Sequence, residues 1–393
     1  MLDPFGPAPQ WMQDSFRPIS EKLGLHSMTP HIHEVVFCFV LYQVIQSYIS
    51  PRLSTVLFPK FYPHFNRRTK LNWDVHVVSL VQSTLINIVA LWVMFADEER
   101  RSMTSFERVW GYSGACSLIQ AMAVGYFIWD LIVSTRYIGV FGIGLWFHAV
   151  SALWVFSLGF RPFVSYYGPT FILYELSSPF LNFHWFFDKV NMTGGRAQWY
   201  NGMALLSVFF CCRLVWGTWQ SVRVFKDIFG AYTQASSGST SGPYDILSFL
   251  QDRSSIACTT EACTKANAEI SSFADTHTDG IPLWLVITYL GSNLTLNSLN
   301  FFWFSKMIET VMKRFRKPAD AAPKAKAKTE EPETKLKTEG PDGHDLVLEA
   351  AAKLEEEERV FINGGMPEEG EGEKVAIPLS TATSPSSTRR RKA

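Results

Sequence analysis

Charge is scarce over most of this 393-residue sequence. Pro318 to Ala393 hold 28 of the 72 charged residues, while the other 317 residues carry only 44, gathered between apolar stretches. That scarcity excludes a uniformly soluble globular protein. An excess of one sign is also missing, because Lys plus Arg and Asp plus Glu both total 36. Binding to nucleic acid through bulk charge is thereby excluded, and no nucleic-acid partner is expected. Cysteine is sparse, with six in the chain and no C-x-x-C pair. Neither a disulfide scaffold nor a zinc cluster follows from that count, and no metal or cofactor is expected. The start, MLDPFGPAPQ, lacks a basic segment followed by an apolar run, so no cleaved signal peptide is expected.

Long apolar runs are what the sequence does contain, with aromatics at 15% and 13 tryptophans. A bilayer core about 30 Å thick needs roughly 20 apolar residues at about 1.5 Å each. Six segments meet this demand: 75–96, 115–135, 139–158, 163–185, 199–221 and 282–305. A seventh, 33–50, begins at His33 and Glu34 and closes at Pro51, and it reads as a span or as a re-entrant helix. The expected fold is all-α: a polytopic membrane bundle of about seven helices with a disordered cytosolic tail.

Basic residues beside the spans set the orientation. Alternating seven spans from a cytosolic 306–317 segment puts 13 Lys/Arg in 53 residues on the cytosolic side. The opposite side holds 10 in 112. A cytosolic C-terminus and a lumenal N-terminus are therefore expected. Residues 230–281 then form a lumenal loop opening on Ala235-Ser-Ser-Gly-Ser-Thr-Ser-Gly242, with a short amphipathic helix expected at Tyr244–Arg253. In that loop Cys258 and Cys263 can either pair or stay free. The tail is too poor in apolar residues to bury a core, although Leu346–Val360 can form a transient helix. Three regions are expected: 1–68 with the first span, a membrane domain over 69–315, and a tail over 316–393.

Polar groups inside a bilayer cost several kcal/mol unless paired or wetted, so those that persist are informative. They are Asp130, His148, Glu175, Asn182, Arg213, Asn293, Asn297 and Asn300. Asn293, Asn297 and Asn300 repeat at i, i+4 and i+7, and Glu175, Ser178 and Asn182 at i, i+3 and i+7, each on one helical face. Ser79, Gln82, Ser83 and Asn87 stripe the second span. The stripes imply a polar interior, either a cavity or interhelical hydrogen bonding. By rise per residue, His148 and Glu175 fall at overlapping depths, about 15 and 20 Å, with the long Arg213 side chain in reach. A His–Glu–Arg network there suits acid–base or nucleophilic work, or else plain charge compensation. Pro179 is expected to kink the fifth span beside Glu175.

The run Phe171-Ile-Leu-Tyr-Glu-Leu-Ser-Ser-Pro-Phe-Leu-Asn-Phe-His-Trp-Phe186 resembles the signature of TLC-domain membrane proteins, in particular the transmembrane-protein-56-like branch. Gly125-Tyr-Phe-Ile-Trp-Asp130, Phe147-His-Ala-Val-Ser151, Asn201-Gly202 and Cys212-Arg213 support it, and the resemblance covers about 69–315. It implies a protein of the endoplasmic reticulum acting in membrane lipid homeostasis, with an acyl chain or sphingolipid as partner. The same resemblance extends to ceramide synthases, implying as an alternative an acyl-CoA-dependent N-acyltransferase with His148 as catalytic candidate. Phe147-His148 stands where those enzymes carry paired histidines, and Glu175 and Asn182 stand in place of their aspartates. A structural or chaperone-like membrane protein is the remaining reading. The candidate lining residues are Asp130, His148, Glu175, Ser178, Asn182, Arg213, Asn293 and Asn297.

Overall fold

The computed structural model describes residues 1–236, 258–273 and 281–315, and among them every regular element is helical. The expected helices at Tyr244–Arg253 and Leu346–Val360, and the tail itself, lie outside the described residues. Among the described residues four helices are long and apolar enough to cross a membrane: His26–Leu57, Arg67–Ala96, Ser105–Arg136 and Arg196–Thr233. Helices also occupy the other three expected positions. They are Ile138–Leu158, a broken run over 165–189, and Leu283–Phe315. Large apolar side chains point outward along these rods, among them Phe37, Val40, Ile88, Trp92, Phe95, Trp154, Trp219 and Leu294. So much outward apolar surface suits lipid as solvent.

Small residues decide which rods meet. We label α1 (Gln10–Leu23), α2 (Ile32–Val44), α3 (Arg67–Ala96) and α4 (Gly114–Arg136). The central helix α4 is buried along most of its length, with Ala115, Ser117, Ala121, Ala123 and Gly125 among its inward residues. At Gly125 a Cβ would sit 2.6 Å from the Val35 carbonyl oxygen and 2.8 Å from Cys38 Cβ. Only glycine lets α4 approach α2 this closely, which is the usual role of small residues between membrane helices. The Asn66 side chain caps α3 by accepting from the Thr69 amide at 2.8 Å. Gln82, Ser83 and Asn87 are buried on the inward face of α3.

The two ends of the bundle differ. One end is capped by the N-terminal segment, the 97–113 connection and α5 (Glu261–Ile270). The Met1 amine pairs with Asp97 at 2.7 Å and Glu99 at 3.2 Å. Arg108 donates twice to Asp227, at 2.6 and 2.8 Å, and the Tyr167 hydroxyl also donates to Asp227. Cys258 and Cys263 are bonded in this cap. The opposite end carries an aromatic cluster of Tyr62, Trp73 and Trp185, and Asp74 accepts there from Ser50 and Tyr62.

Two backbone irregularities face each other in mid-bundle. The fifth expected span is not one helix kinked at Pro179. It runs as 3-10 turns at Ser165–Tyr167, an α turn at Gly168–Ile172, more 3-10 turns at Leu173–Ser177, and α6 (Ser178–Lys189). Pro169 and Pro179 each sit in the first turn of an α segment. A proline has no amide to give, so the helix restarts at each ring instead of bending through it. Facing this stretch, the rod begun by α7 (Arg196–Phe209) widens into a π turn at Phe210–Trp216 and continues as Gly217–Ser236.

Candidate functional site

The unwound stretch exposes the carbonyl of Tyr174, and the π turn presents Arg213 to it. Arg213 Nε donates to the Tyr174 carbonyl and to Ser177 Oγ, both at 3.0 Å. Its Nη1 donates to Asn300 Oδ1 at 3.3 Å, and the guanidinium lies 5.0 Å from the Phe209 ring centroid. Glu175 Oε1 is farther away, 3.8 Å from Nη2. Irregular backbone is tolerated at membrane depth where side chains satisfy it or where it lines a cavity. Here both conditions hold.

Beside this junction lies a cavity of about 340 Å³. Asp130, His148, Glu175, Ser178, Asn182 and Arg213 all line it. Glu175 Oε2 accepts from Ser178 Oγ at 2.6 Å. His148 makes no hydrogen bond among the described residues, although it lies within electrostatic reach of Glu175 and Arg213. Its imidazole is thereby left to the cavity. The His–Glu–Arg grouping is thus brought together in one space without a direct His148–Glu175 bond.

Asn293 and Asn297 do not line the cavity. Asn297 Nδ2 donates to Ser221 Oγ and the Asn293 carbonyl, both at 2.8 Å, and Asn297 Oδ1 accepts from the Tyr174 hydroxyl at 3.2 Å. The Ser221 and Tyr174 bonds tie α8 (Leu283–Phe315) to its neighbours. Asn300, by contrast, supports Arg213.

Two cavity histidines were not singled out in the sequence. His76 bonds Asn182 Oδ1 at 2.7 Å through Nδ1 and stacks on Trp185 with centroids 4.2 Å apart. Asn182 Nδ2 donates onward to Ser79 Oγ at 3.1 Å. His184 is buried, with Gln198 Nε2 3.4 Å from its Nε2. The signal available for His76 was its spacing. It lies three residues before Ser79, on the polar stripe of α3. Three histidines from three helices therefore share the cavity, although the chain has no adjacent pair. Apolar walls come from Phe127, Phe141, Leu145, Leu205 and Phe209, and Asp188 and Lys189 mark the end farther from the cap. An apolar hollow with a few convergent polar groups is the usual form of a small-ligand site.

Comparison with known proteins bears on this arrangement. The chain is 33% identical over 304 residues to an uncharacterized TLC domain-containing protein of Schizosaccharomyces pombe, covering 77% of this chain and 86% of that one. It is 29% identical over 311 residues to topoisomerase I damage affected protein 4 of Saccharomyces cerevisiae, covering 78% and 91%. TLC domain-containing protein 4 of Homo sapiens is 30% identical over 184 residues, 46% of this chain and 65% of that protein. Residues 72–309, which hold the unwound stretch, the π turn and every cavity residue named above, match the TLC domain, and the chain is a multi-pass membrane protein of the TLC domain family.

Proposed function

We propose that this protein acts in membrane lipid homeostasis by binding an acyl chain or sphingolipid in the mid-bundle cavity. The observation that carries the reading is an apolar-walled space of about 340 Å³ with Asp130, His148, Glu175 and Arg213 at its polar side. Such a volume suits a headgroup or a stretch of acyl chain. In the proposed topology seven segments cross the endoplasmic reticulum membrane, with a cytosolic C-terminus. The cavity then runs toward the cytosolic leaflet, and the cap with its disulfide faces the oxidising lumen. The domain division is proposed as 1–68, 69–315 and 316–393.

A lipidomic comparison of deletion and wild-type cells, resolving ceramides and phospholipid acyl chains, tests this reading. His148→Ala is expected to reproduce the deletion profile at near-normal protein level. The imidazole has no bonded partner to strand, so the cost to stability should stay near 1 kcal/mol. A wild-type profile from His148→Ala at normal abundance would sink the lipid-site reading.

A second reading, acyl transfer from acyl-CoA to a sphingoid amine, is favoured by His76, His148 and His184 sharing one cavity with carboxylates. Purified protein would then form the N-acyl product from acyl-CoA and a sphingoid base, and His148→Ala would not. A structural role predicts instead that any lipid phenotype tracks protein abundance across all variants.

A further inference from the structure

A second polar cluster lies at the capped end, away from the cavity. His31 Nδ1 stands 2.8 Å from Glu34 Oε2 and 3.7 Å from Asp3 Oδ2. One donor atom from each of the three residues lies within 4.8 Å of the others. The side chains are almost fully enclosed, at 1% exposure for His31, 5% for Glu34 and 8% for Asp3. Asp3 Oδ2 and Glu34 Oε1 are buried oxygens without a hydrogen-bond donor. Among the described residues no lysine or arginine pairs with either carboxylate, and the nearby Met1 amine is held by Asp97 and Glu99. Two buried carboxylates without a cation are costly, because each loses its hydration and repels the other.

We infer that Asp3, His31 and Glu34 form a divalent-cation site, and that zinc is the ion its donors suit. One imidazole nitrogen and two carboxylate oxygens are donors that zinc accepts, with a fourth position left for water, whereas calcium and magnesium favour oxygen alone. Tetrahedral zinc with bonds of about 2.0 Å places its ligand atoms roughly 3.3 Å apart. The 2.8 and 3.7 Å separations from His31 bracket that value, and all three donor atoms lie within 4.8 Å of one another. A doubly charged ion would cancel the charge of both carboxylates. The His31 ring is already oriented from behind, with Nε2 2.6 Å from the Tyr112 hydroxyl. For Nδ1 to ligate, the ring proton must sit on Nε2 and be donated to Tyr112, the outer-shell arrangement typical of metal-bound histidine. The ion would staple the N-terminal segment to the start of the first membrane helix and, through Tyr112, to the 97–113 connection. The sequence pointed to no metal, since Asp3 is far from the His31/Glu34 pair along the chain. The rival is a proton shared between the two carboxyls, which needs no ion.

The test uses the full chain, purified in detergent without chelator and analysed for bound metal. The protein is then stripped and titrated with zinc, manganese or calcium chloride while its thermal midpoint is followed. Wild type is expected to take up zinc to about one ion per chain and to gain several degrees, with calcium having little effect. Glu34→Gln and Asp3→Asn imitate the protonated carboxyls, so both should fold, and both should lose the zinc response. If Glu34→Gln yields no folded protein, Asp3→Asn in the N-terminal segment still decides the matter. Tyr112→Phe should remain folded and weaken zinc binding by about 10–100-fold. Failure of stripped wild type to bind or respond to zinc would overturn the site in favour of the shared proton. A zinc response unchanged in both carboxyl variants, or a response to calcium alone, would overturn it too.

Discussion

Arg213 Nε donates at 3.0 Å to the backbone carbonyl of Tyr174, so a side chain on a π turn adds a donor to the facing 3-10 stretch. Widened and unwound turns at membrane depth gather where a site is built. In this protein the π turn supplies side-chain donors to the 3-10 stretch.

That relationship predicts an asymmetry between Arg213 and Glu175. Arg213→Leu removes the donor shared by the Tyr174 carbonyl and Ser177 Oγ and leaves Asn300 Oδ1 without its arginine partner, with the Tyr174 carbonyl keeping the longer 3.3 Å bond from Ser177 Oγ, and should cost about 1–3 kcal/mol. Glu175→Gln should cost less than about 1 kcal/mol, because Arg213 keeps Tyr174, Ser177 and Asn300 and the Glu175 contact is long, at 3.8 Å. Thermal midpoints of the two variants in detergent check this. A larger loss for Glu175→Gln would mean that the ion pair, rather than the backbone contact, anchors the arginine.

Asn297 and His148 should separate stability from function. Asn297→Leu removes bonds to Ser221, Asn293 and Tyr174 and should cost about 0.6–1.7 kcal/mol, the range for polar contacts between membrane helices. The surviving Asn297→Leu protein should still support a wild-type lipid profile, whereas His148→Ala should not. The comparison is made at matched protein level. Equal loss of profile in both variants would remove the distinction between cavity and helix contact.

Stability of the capped end should fall as pH rises through neutrality. Glu269 Oε2 accepts from the Gly114 amide at 3.1 Å, and burial pushes its carboxyl up to about 7. The neighbouring Met1 amine favours the charged form, while Asp3 and Asp97 oppose it. The Tyr112 hydroxyl also lies within its field. A carboxyl with a raised folded pKa binds its proton more tightly folded than unfolded. Its contribution is complete below the usual carboxylate range and is lost as pH climbs past about 7. Between pH 5.5 and 8, chelator-treated wild type should therefore lose more thermal stability than Glu269→Gln, which keeps an acceptor for Gly114. Parallel curves for the two proteins would show that Glu269 does not titrate as described.

Topology offers a separate check. A glycosylation acceptor inserted near Ser239 should be modified, one inserted in the tail should not, and the native Asn191-Met-Thr sequon should stay bare. Glycosylation of the tail with a bare loop would invert the proposed orientation.

Composition and hydropathy pattern settle the solvent and the kind of fold. Charge starvation and runs of about 20 apolar residues leave helices as the structure that satisfies its own backbone in lipid. Periodicity also marked which faces turn inward, as with Gln82, Ser83 and Asn87, because a polar stripe on a membrane helix has no favourable outward direction. What each stripe does follows from how the helices pack around it. Glu175, Ser178 and Asn182 line a cavity, whereas Asn297 is used up in bonds to neighbouring helices and to Asn293 of its own helix. The two stripes look alike in sequence, and the outcome depends on whether a facing helix brings a partner such as Ser221 or leaves space. The 3-10 stretch before Pro179 likewise depends on Arg213, 34 residues farther on than the proline, for the side-chain donor at its Tyr174 carbonyl. The Asp3, His31 and Glu34 cluster is another such case, since no periodicity links an N-terminal loop to a helix start. Local patterning sets the face a residue occupies, and long-range packing sets which group it finds there.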